Sequence, residues 1–218
     1  MPEEVILRFD EVSFEYTYKQ PLLTETSFSM RTGSKFTLMG QNGAGKSTLF
    51  KLIKGDLQPT GGKISVTNDA TIATALQVVD KEDFKFTIEQ YFEKAFDKVP
   101  KNIKSQIAKV MDAVNLSVPT DKAVGDLSGG QQARLLLAFA LIQEPDILLL
   151  DEPTNNLDQE GIDHLIAFLV MYEKTVLVIS HDADFLNCFT DGILYLDVYT
   201  KQLEGYVGDY YSAVEQIE

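Results

Sequence analysis

Hydrophobic and polar positions alternate in the first part of the chain. Residues 5–9 and 28–30 follow this pattern, which is typical of strands in a partly exposed antiparallel sheet. Residues 35–39 and 63–66 form runs of strand length, and residues 71–76 form a short apolar strand that ends at Gln77. Glycines punctuate the connections between these runs, so we predict several short strands here.

The period changes to that of a helix from about residue 87 to residue 114. Pro100 divides this segment into two helices, each with one apolar stripe. The stripes consist of Ile88, Tyr91, Phe92, Ala95 and Phe96 in the first helix and Ile103, Ile107, Val110, Met111 and Val114 in the second. We predict a helical subdomain inserted at about residues 84–142; the alternative is that these are ordinary crossover helices of the core.

Helical and strand-like segments alternate in the second half. We predict helices at 128–143, 159–172 and 209–217, buried strands at 146–150 and 175–179, and a hairpin that pairs 192–196 with 199–203. The run at 146–150 is apolar almost throughout, as in the centre of a parallel sheet. Residues 1–218 are therefore predicted to form one α/β domain with a parallel sheet, an antiparallel β subdomain and an inserted α-helical subdomain.

Composition narrows the class of protein. The net charge of −14 argues against nucleic-acid binding by bulk electrostatics, because phosphate backbones need clustered lysine and arginine. The single cysteine, Cys188, excludes an internal disulfide. The first residues lack the basic and apolar regions of a signal peptide, and no apolar run is long enough to span a bilayer. We expect a soluble, cytoplasmic protein.

A glycine-rich loop lies between the strand at 35–39 and a helix-like segment. It has the pattern G-x-x-x-x-G-K-[ST], which in this setting binds phosphate through backbone N–H groups and the helix N-terminus. Lys46 is expected to reach the β- and γ-phosphates and Ser47 to offer its hydroxyl to Mg²⁺. The nucleotide-binding residues predicted here are Gly40, Asn42, Gly43, Ala44, Gly45, Lys46, Ser47 and Thr48.

Two further motifs complete the candidate chemistry. Asp151 and Glu152 follow the buried strand, at the edge where ligands of α/β sheets gather. Asp151 is placed to hold Mg²⁺, and Glu152 to polarise an attacking water as general base. The segment Ser128, Gly129, Gly130 and Gln131 opens a helix and offers a second anion site.

Together these motifs resemble the ATP-binding cassette (ABC) ATPases, over essentially the whole chain. Walker A is residues 40–47, the Q-loop residue is Gln77, the signature is 127–131, Walker B is 147–152, the D-loop is 155–158 and the switch histidine is His181. The resemblance implies a P-loop, RecA-like core that binds ATP and Mg²⁺. It also implies head-to-tail closure with a second cassette, in the same polypeptide or another copy, whose signature covers the nucleotide.

The resemblance assigns further roles. His181 is implied to contact the γ-phosphate and act with Glu152, and Gln77 to link Mg²⁺ and water to the helical insert. An aromatic residue stacks on adenine in this family. Tyr16 matches best, with Phe14 and Tyr18 as competitors. His164 is expected to be exposed and structural.

Two stretches are similar to the ABC-F branch, whose members carry two cassettes and act on the ribosome. They are residues 151–158 and the tail 203–211, although Asn156, Ala183 and Asp209 depart from the ABC-F pattern. We expect an amino-terminal cassette whose tail, 205–218, leads towards a linker, and whose partner is the ribosome or ribosomal RNA. The alternatives are the ATPase subunit of a transporter, docked on a membrane domain, and a cassette that binds ATP as a switch.

Overall fold

The structure is a computed structural model and describes residues 4–67, 69–75, 78–155 and 157–217. Gln77 and Asn156 lie outside the described residues. The strands are β1 (Val5–Thr17), β2 (Gln20–Arg31), β3 (Lys35–Gly40), β4 (Gly61–Val66), β5 (Ile72–Thr74), β6 (Ile147–Asp151), β7 (Thr175–Ile179), β8 (Gly192–Leu196) and β9 (Leu203–Val207). The helices are α1 (Lys46–Lys54), α2 (Ile88–Glu93), α3 (Ile103–Ala113), α4 (Gly129–Ile142), α5 (Gln159–Met171), α6 (Ala183–Asn187) and α7 (Tyr210–Ile217).

A sheet in the order β5-β6-β7-β3-β8-β9 forms the centre of the molecule. All of its pairs are parallel except β8 with β9. Every residue of β7 is buried, as is every residue of β6 before Asp151, because helices or the second sheet cover both faces. The carboxyl ends of β3, β6 and β7 therefore meet at one edge, and the predicted α/β fold with a parallel sheet is confirmed.

The last strand departs from the prediction. Residues 199–203 were expected to pair with β8, but β9 is Leu203–Val207. The chain turns before it: Tyr199 N donates to Asp197 Oδ1 at 2.7 Å, and Lys201 N donates to Asp197 O at 2.9 Å. Lys201 has a φ of 60°, which lies in the left-handed region and outside the range of regular strands. The aromatic and β-branched residues of this turn imitate a strand pattern, and the prediction was wrong.

A second, antiparallel sheet has the order β2-β1-β4. Its first two strands continue well beyond the predicted segments. The register of β1 shifts between Phe9 and Val12, and Glu11 has a φ of 49°. Such bulges break the alternation of polar and apolar positions, which explains why the pattern predicts only the regular part of each strand.

Two hydrophobic clusters lie on opposite faces of the parallel sheet. In one cluster α1 packs against the antiparallel sheet. The other cluster contains residues of all five helices from α2 through α6. In the second cluster, Thr87 and Gln90 form a capping box that starts α2. The subdomain boundaries at 84 and 142 stay a prediction. Among the described residues, none of the helices has the length and apolar character needed to span a bilayer.

Candidate functional site

The phosphate loop lies between β3 and α1 and contains glycines at positions where a side chain would strain the backbone or clash with a neighbour. Gly45 is the N-cap of α1 with a φ of 106°, and no side chain caps the helix there. A Cβ atom at Gly45 would lie 2.4 Å from Leu22 Cδ2, and one at Gly40 would lie 2.7 Å from Leu196 O. The loop is therefore packed from two sides, while the first N–H groups of α1 have no side-chain acceptor.

Lys46 places its charge inside this loop. Its Nζ donates to Gly40 O at 2.8 Å and to Gln41 O at 3.3 Å. The ammonium group thus lies beside the helix N-terminus, and the two positive sources add together. This combination favours an anion such as a phosphate group.

Ser47 and Asp151 bring two oxygen donors together at the edge of the sheet. Ser47 Oγ donates to Asp151 Oδ2 at 3.4 Å across a long separation in sequence. In the part of the chain that the structure describes, no three His, Cys, Asp or Glu side chains form a metal cage. A hydroxyl and one carboxylate suit Mg²⁺, which is often bound by one or two carboxylates together with substrate phosphates. These donors therefore fit a magnesium nucleotide.

Glu152 and His181 face each other next to this pair. His181 Nε2 lies 3.2 Å from Glu152 Oε1, and His181 N donates to Glu152 Oε2 at 3.4 Å. The side chain of Glu152 is 22% exposed, and its φ of 49° is unfavourable for a residue with a side chain. Glu152 N donates to Ile179 O at 2.8 Å, which holds this conformation against the neighbouring strand. Strain of this kind is concentrated at functional sites.

A cleft of about 380 Å³ joins these groups. It is lined by Leu22, Asn42, Gly43, Gly45, Lys46, Ser47, Thr48, Asp151, Glu152, Ile179 and His181. The structure thus brings together most of the predicted phosphate, metal and catalytic residues. Leu22 was missed, and no local signal could have found it, because it reaches Gly45 only through the fold of β2.

The aromatic candidates differ in exposure. Phe14 is 6% exposed and belongs to the core, so its ring has no free face. Tyr16 is 61% exposed, its hydroxyl lies 3.1 Å from Thr48 Oγ1, and its ring stands edge-on to Phe14. Tyr18 is 79% exposed and lies in the turn after β1. Tyr16 is thus exposed and also hydrogen-bonded to α1, the helix that follows the phosphate loop.

The signature segment lies outside the cleft. Ser128 is the N-cap of α4: its Oγ accepts from Gln131 N at 3.3 Å, and its N donates to Gln131 Oε1 at 3.1 Å. No heavy atom lies within 4 Å of a Cβ placed at Gly129. The predicted residues Ser128, Gly129, Gly130 and Gln131 are therefore not part of the Lys46 cleft within this chain.

His164 was expected to be exposed, and this was wrong. It is half-buried on α5, and its Nδ1 lies 3.0 Å from Asp112 O at the end of α3. The helical spacing did not reveal that α3 packs across this face of α5. Its role in joining the two helices is structural.

Comparisons with known proteins agree on one family. A family described as "ABC transporter" matches residues 23–155. A putative ABC transporter ATP-binding protein of Clostridium tetani is 32% identical over 206 residues, covering 88% of this chain and 47% of that protein. ABC transporter F family member 4 of Dictyostelium discoideum is 35% identical over 190 residues, covering 86% of this chain and 16% of that protein.

Solved structures share the fold. A dimeric ATP-binding cassette in a post-hydrolysis state, bound to ADP and Pi, has a TM-score of 0.77 at 22% identity and covers 93% of this chain and 98% of that chain. The sequence relatives are longer. The chain spans between 31% and 47% of the length of three curated relatives that it matches.

Proposed function

The chain belongs to the ATP-binding cassette family of ATPases, and on this premise we propose that it binds ATP with Mg²⁺ and hydrolyses it to ADP and phosphate. The observation that carries the proposal is the meeting of Lys46, Ser47, Asp151, Glu152 and His181 around one cleft. These residues come from the ends of β6 and β7 and the start of α1. Each supplies a group that phosphoryl transfer to water requires.

In this proposal the phosphate loop binds the triphosphate. Lys46 turns from the carbonyl oxygens of its own loop towards the β- and γ-phosphates, and the free N–H groups at the start of α1 donate to them. Tyr16 offers the exposed face of its ring to adenine. The hydrogen bond between the hydroxyl groups of Tyr16 and Thr48 fixes the position of that ring.

Ser47 and Asp151 would hold Mg²⁺, and we propose Gln77 as a further ligand. When bound, Mg²⁺ neutralises charge on the phosphate oxygens. Asp151 stands at the end of a buried strand, so its carboxylate is fixed by the sheet. Ser47 lies in the first turn of α1 and shares that rigidity.

Glu152 acts as the general base. Its carboxylate orients a water for in-line attack on the γ-phosphorus and accepts the proton as the new P–O bond forms. His181 lies 3.2 Å from this carboxylate and fixes its position, while its ring is exposed enough to reach the γ-phosphate. The bond between the γ-phosphorus and the bridging oxygen breaks, and ADP leaves.

A second cassette completes the site. Ser128 to Gln131 lie apart from the cleft of their own chain, so we propose that they cover the nucleotide of a partner cassette, in the same polypeptide or another copy. A similar fold is dimeric in the solved structure bound to ADP and Pi. A second helix N-terminus adds N–H donors on the open side of the γ-phosphate.

The biological setting is proposed from the relatives. Identity of 35% to an F family member, together with the ABC-F-like stretches, supports an ABC-F-type cassette that acts on the ribosome in translation, in the cytoplasm. The second candidate is the ATPase subunit of a membrane transporter, which the names of other relatives favour. Two measurements separate these candidates. Co-sedimentation of the full protein with ribosomes in the presence of ATP supports the ABC-F-type cassette, and co-purification with a membrane domain supports the transporter subunit.

The decisive experiment on hydrolysis is Glu152→Gln. Multiple turnover is expected to fall by about 10²–10⁴-fold while ATP affinity is kept, because only the base is removed. Phosphate release and fluorescent-nucleotide binding measure the two quantities. Glu160→Gln makes the same chemical change on the exposed first turn of α5 and is expected to leave both unchanged.

Normal turnover by Glu152→Gln contradicts the assignment of the base. If the wild-type protein, supplied with its second cassette and Mg²⁺, binds ATP without turnover, the cassette is a nucleotide switch instead. Unchanged turnover without divalent cation contradicts the roles of Ser47 and Asp151.

A further inference from the structure

Arg134 lies on α4, the helix that begins at the signature segment, and its side chain is only 16% exposed. The guanidinium contacts two segments outside that helix. Nη1 donates to Asn115 O at 2.6 Å, and Nη2 lies 2.8 Å from Asp158 Oδ1. A planar fork with several donors can serve two acceptors in different directions, which an ammonium group does less well.

We propose that Arg134 is a positioning residue that ties the signature helix to the segment carrying Glu152. The proposal rests on the function proposed above for Glu152. Arg134 itself does not line the nucleotide cleft. Its effect on hydrolysis passes through the residues that it holds.

Asp158 is the first of these residues. Its Oδ1 accepts from Gly161 N at 2.9 Å and so caps α5, while it also pairs with Arg134. The hydrogen bond from Gly161 and then that from Arg134 hold the pKa of Asp158 below its usual value. A Cβ at Gly161 would lie 3.1 Å from Asp158 Oδ1 and 3.5 Å from Arg134 Nη2, so a larger residue there would crowd the contact.

Two backbone turns lead from Asp158 back to the general base. Leu157 N donates to Thr154 O at 3.1 Å, and Asn155 N donates to Glu152 O at 3.1 Å. Glu152 sits at the start of this path in its left-handed conformation. A shift of Asp158 therefore strains the turns that hold Glu152, and a misplacement of about 1 Å at a catalytic group can lower a rate by about 100-fold.

The other end of the fork reaches the end of α3. Asn115 has a φ of 52° and turns its carbonyl towards Arg134, and a cation at a helix C-terminus is favourable. The contact between His164 and Asp112 O holds α5 against the same end of α3. Helices α3, α4 and α5 thus meet around one partly buried guanidinium group, whose loss would leave Asp158 and Asn115 O without their common partner.

Steady-state kinetics of the cassette with Mg-ATP, in the presence of its second cassette, test this role. Arg134→Met is expected to lower kcat at least about tenfold and to change KM for ATP by less than about twofold, because the phosphate loop is not touched. Arg134→Lys keeps the pairing with Asp158 but not the fork, so its kcat should lie between those of wild type and Arg134→Met. Arg8→Met, an exposed arginine on β1, is the matched control and should behave as wild type.

Asp158→Asn keeps an N-cap and removes the charge, and it is expected to lower kcat without raising KM. The double variant Arg134→Met with Asp158→Asn should be no slower than Arg134→Met alone, because both changes remove one interaction. Normal kcat in all three single variants, a rise in KM that accounts for the loss, or full additivity would each overturn the proposal.

Hydrogen exchange separates this proposal from the proposed hydrolysis. Arg134→Met should speed exchange at the amides of Asn155, Leu157 and Gly161, and Arg8→Met should not. Unchanged exchange overturns the positioning role even if the wild-type protein does not turn over. If Arg134→Met fails to fold, steady-state kinetics and hydrogen exchange of Arg134→Lys and Asp158→Asn test the positioning role instead. Turnover that is lost in Glu152→Gln but normal in the Arg134 variants removes the positioning role alone.

Discussion

Two helices of this fold begin at glycine-containing segments, and they differ in whether side chains cap the N–H groups of the first turn. At α1, Gly45 provides no side-chain acceptor, so the first N–H groups remain free for an anion. At α4, Ser128 and Gln131 satisfy each other in a capping box. The first terminus therefore keeps free N–H donors for a phosphate group within a single chain, whereas at the second Ser128 Oγ already accepts from Gln131 N and keeps only its O–H as a free donor.

The two helix N-termini also differ in how closely the rest of the chain packs around them. Gly45 is pressed against Leu22, while a side chain at Gly129 would meet nothing within 4 Å. The phosphate loop is thus enclosed by its own chain, and the signature segment is open to another molecule. If the proposed function is right, the residues of one cassette set the nucleotide affinity, and the signature segment contributes only when a partner is present.

Lys46→Ala removes the charge at the N-terminus of α1 and should have the largest effect on ATP affinity. Charge-assisted hydrogen bonds contribute about 1.5–3 kcal/mol each, so ATP affinity is expected to fall by about 10- to 100-fold. Titration with a fluorescent ATP analogue measures it. Lys51→Ala, an exposed lysine on the same helix, is the control and should bind as wild type. Unchanged affinity in Lys46→Ala would remove the phosphate role.

Gly45→Ala and Gly129→Ala make the same change at the two termini. At Gly45 the unfavourable φ and the contact with Leu22 should lower the free energy of unfolding by about 2 kcal/mol and weaken ATP binding. At Gly129 the free energy should stay within about 0.5 kcal/mol of wild type. Denaturant unfolding of both variants checks the contrast, and equal losses would contradict it.

Ser128→Ala should affect a single chain less than Gly45→Ala does. Loss of the cap costs about 1 kcal/mol of stability, and ATP affinity of the isolated chain should not change. Turnover with the second cassette should nevertheless fall. Thermal unfolding, nucleotide titration and phosphate release test the three statements. Weaker ATP binding by the isolated chain would place Ser128 in the cleft of its own chain.

The sequence predicts most of the core because its signals there are local. The strand at 175–179 is an uninterrupted buried run and agrees with β7, and α4 agrees with the helix between Ser128 and Pro145. The family was recognised correctly from motifs whose order and residue types reflect chemistry. The same motifs named the groups that line the cleft, although their roles stay predictions.

What the sequence does not predict depends on long-range packing. Leu22 enters the site only because β2 carries it over Gly45. The pairing of Arg134 with Asp158 joins two helices whose separate patterns give no hint of contact. β9 was misplaced because the turn at Asp197 contains strand-forming residues. In the first two cases the partner is distant in sequence, and periodicity within one segment carries no information about it; in the third, the pattern of the turn itself is misleading.

The position of β3 between β7 and β8 has a consequence for folding during synthesis. The strand that ends in the phosphate loop is synthesised before both of its neighbours in the sheet, β7 and β8. At about 5–20 residues per second, about 150 residues of further synthesis take roughly 8–30 s. For most of that interval β3 lacks both of the strands that flank it in the sheet. Mutations that weaken β7 or β8 should therefore reduce the yield of folded protein before they alter its affinity.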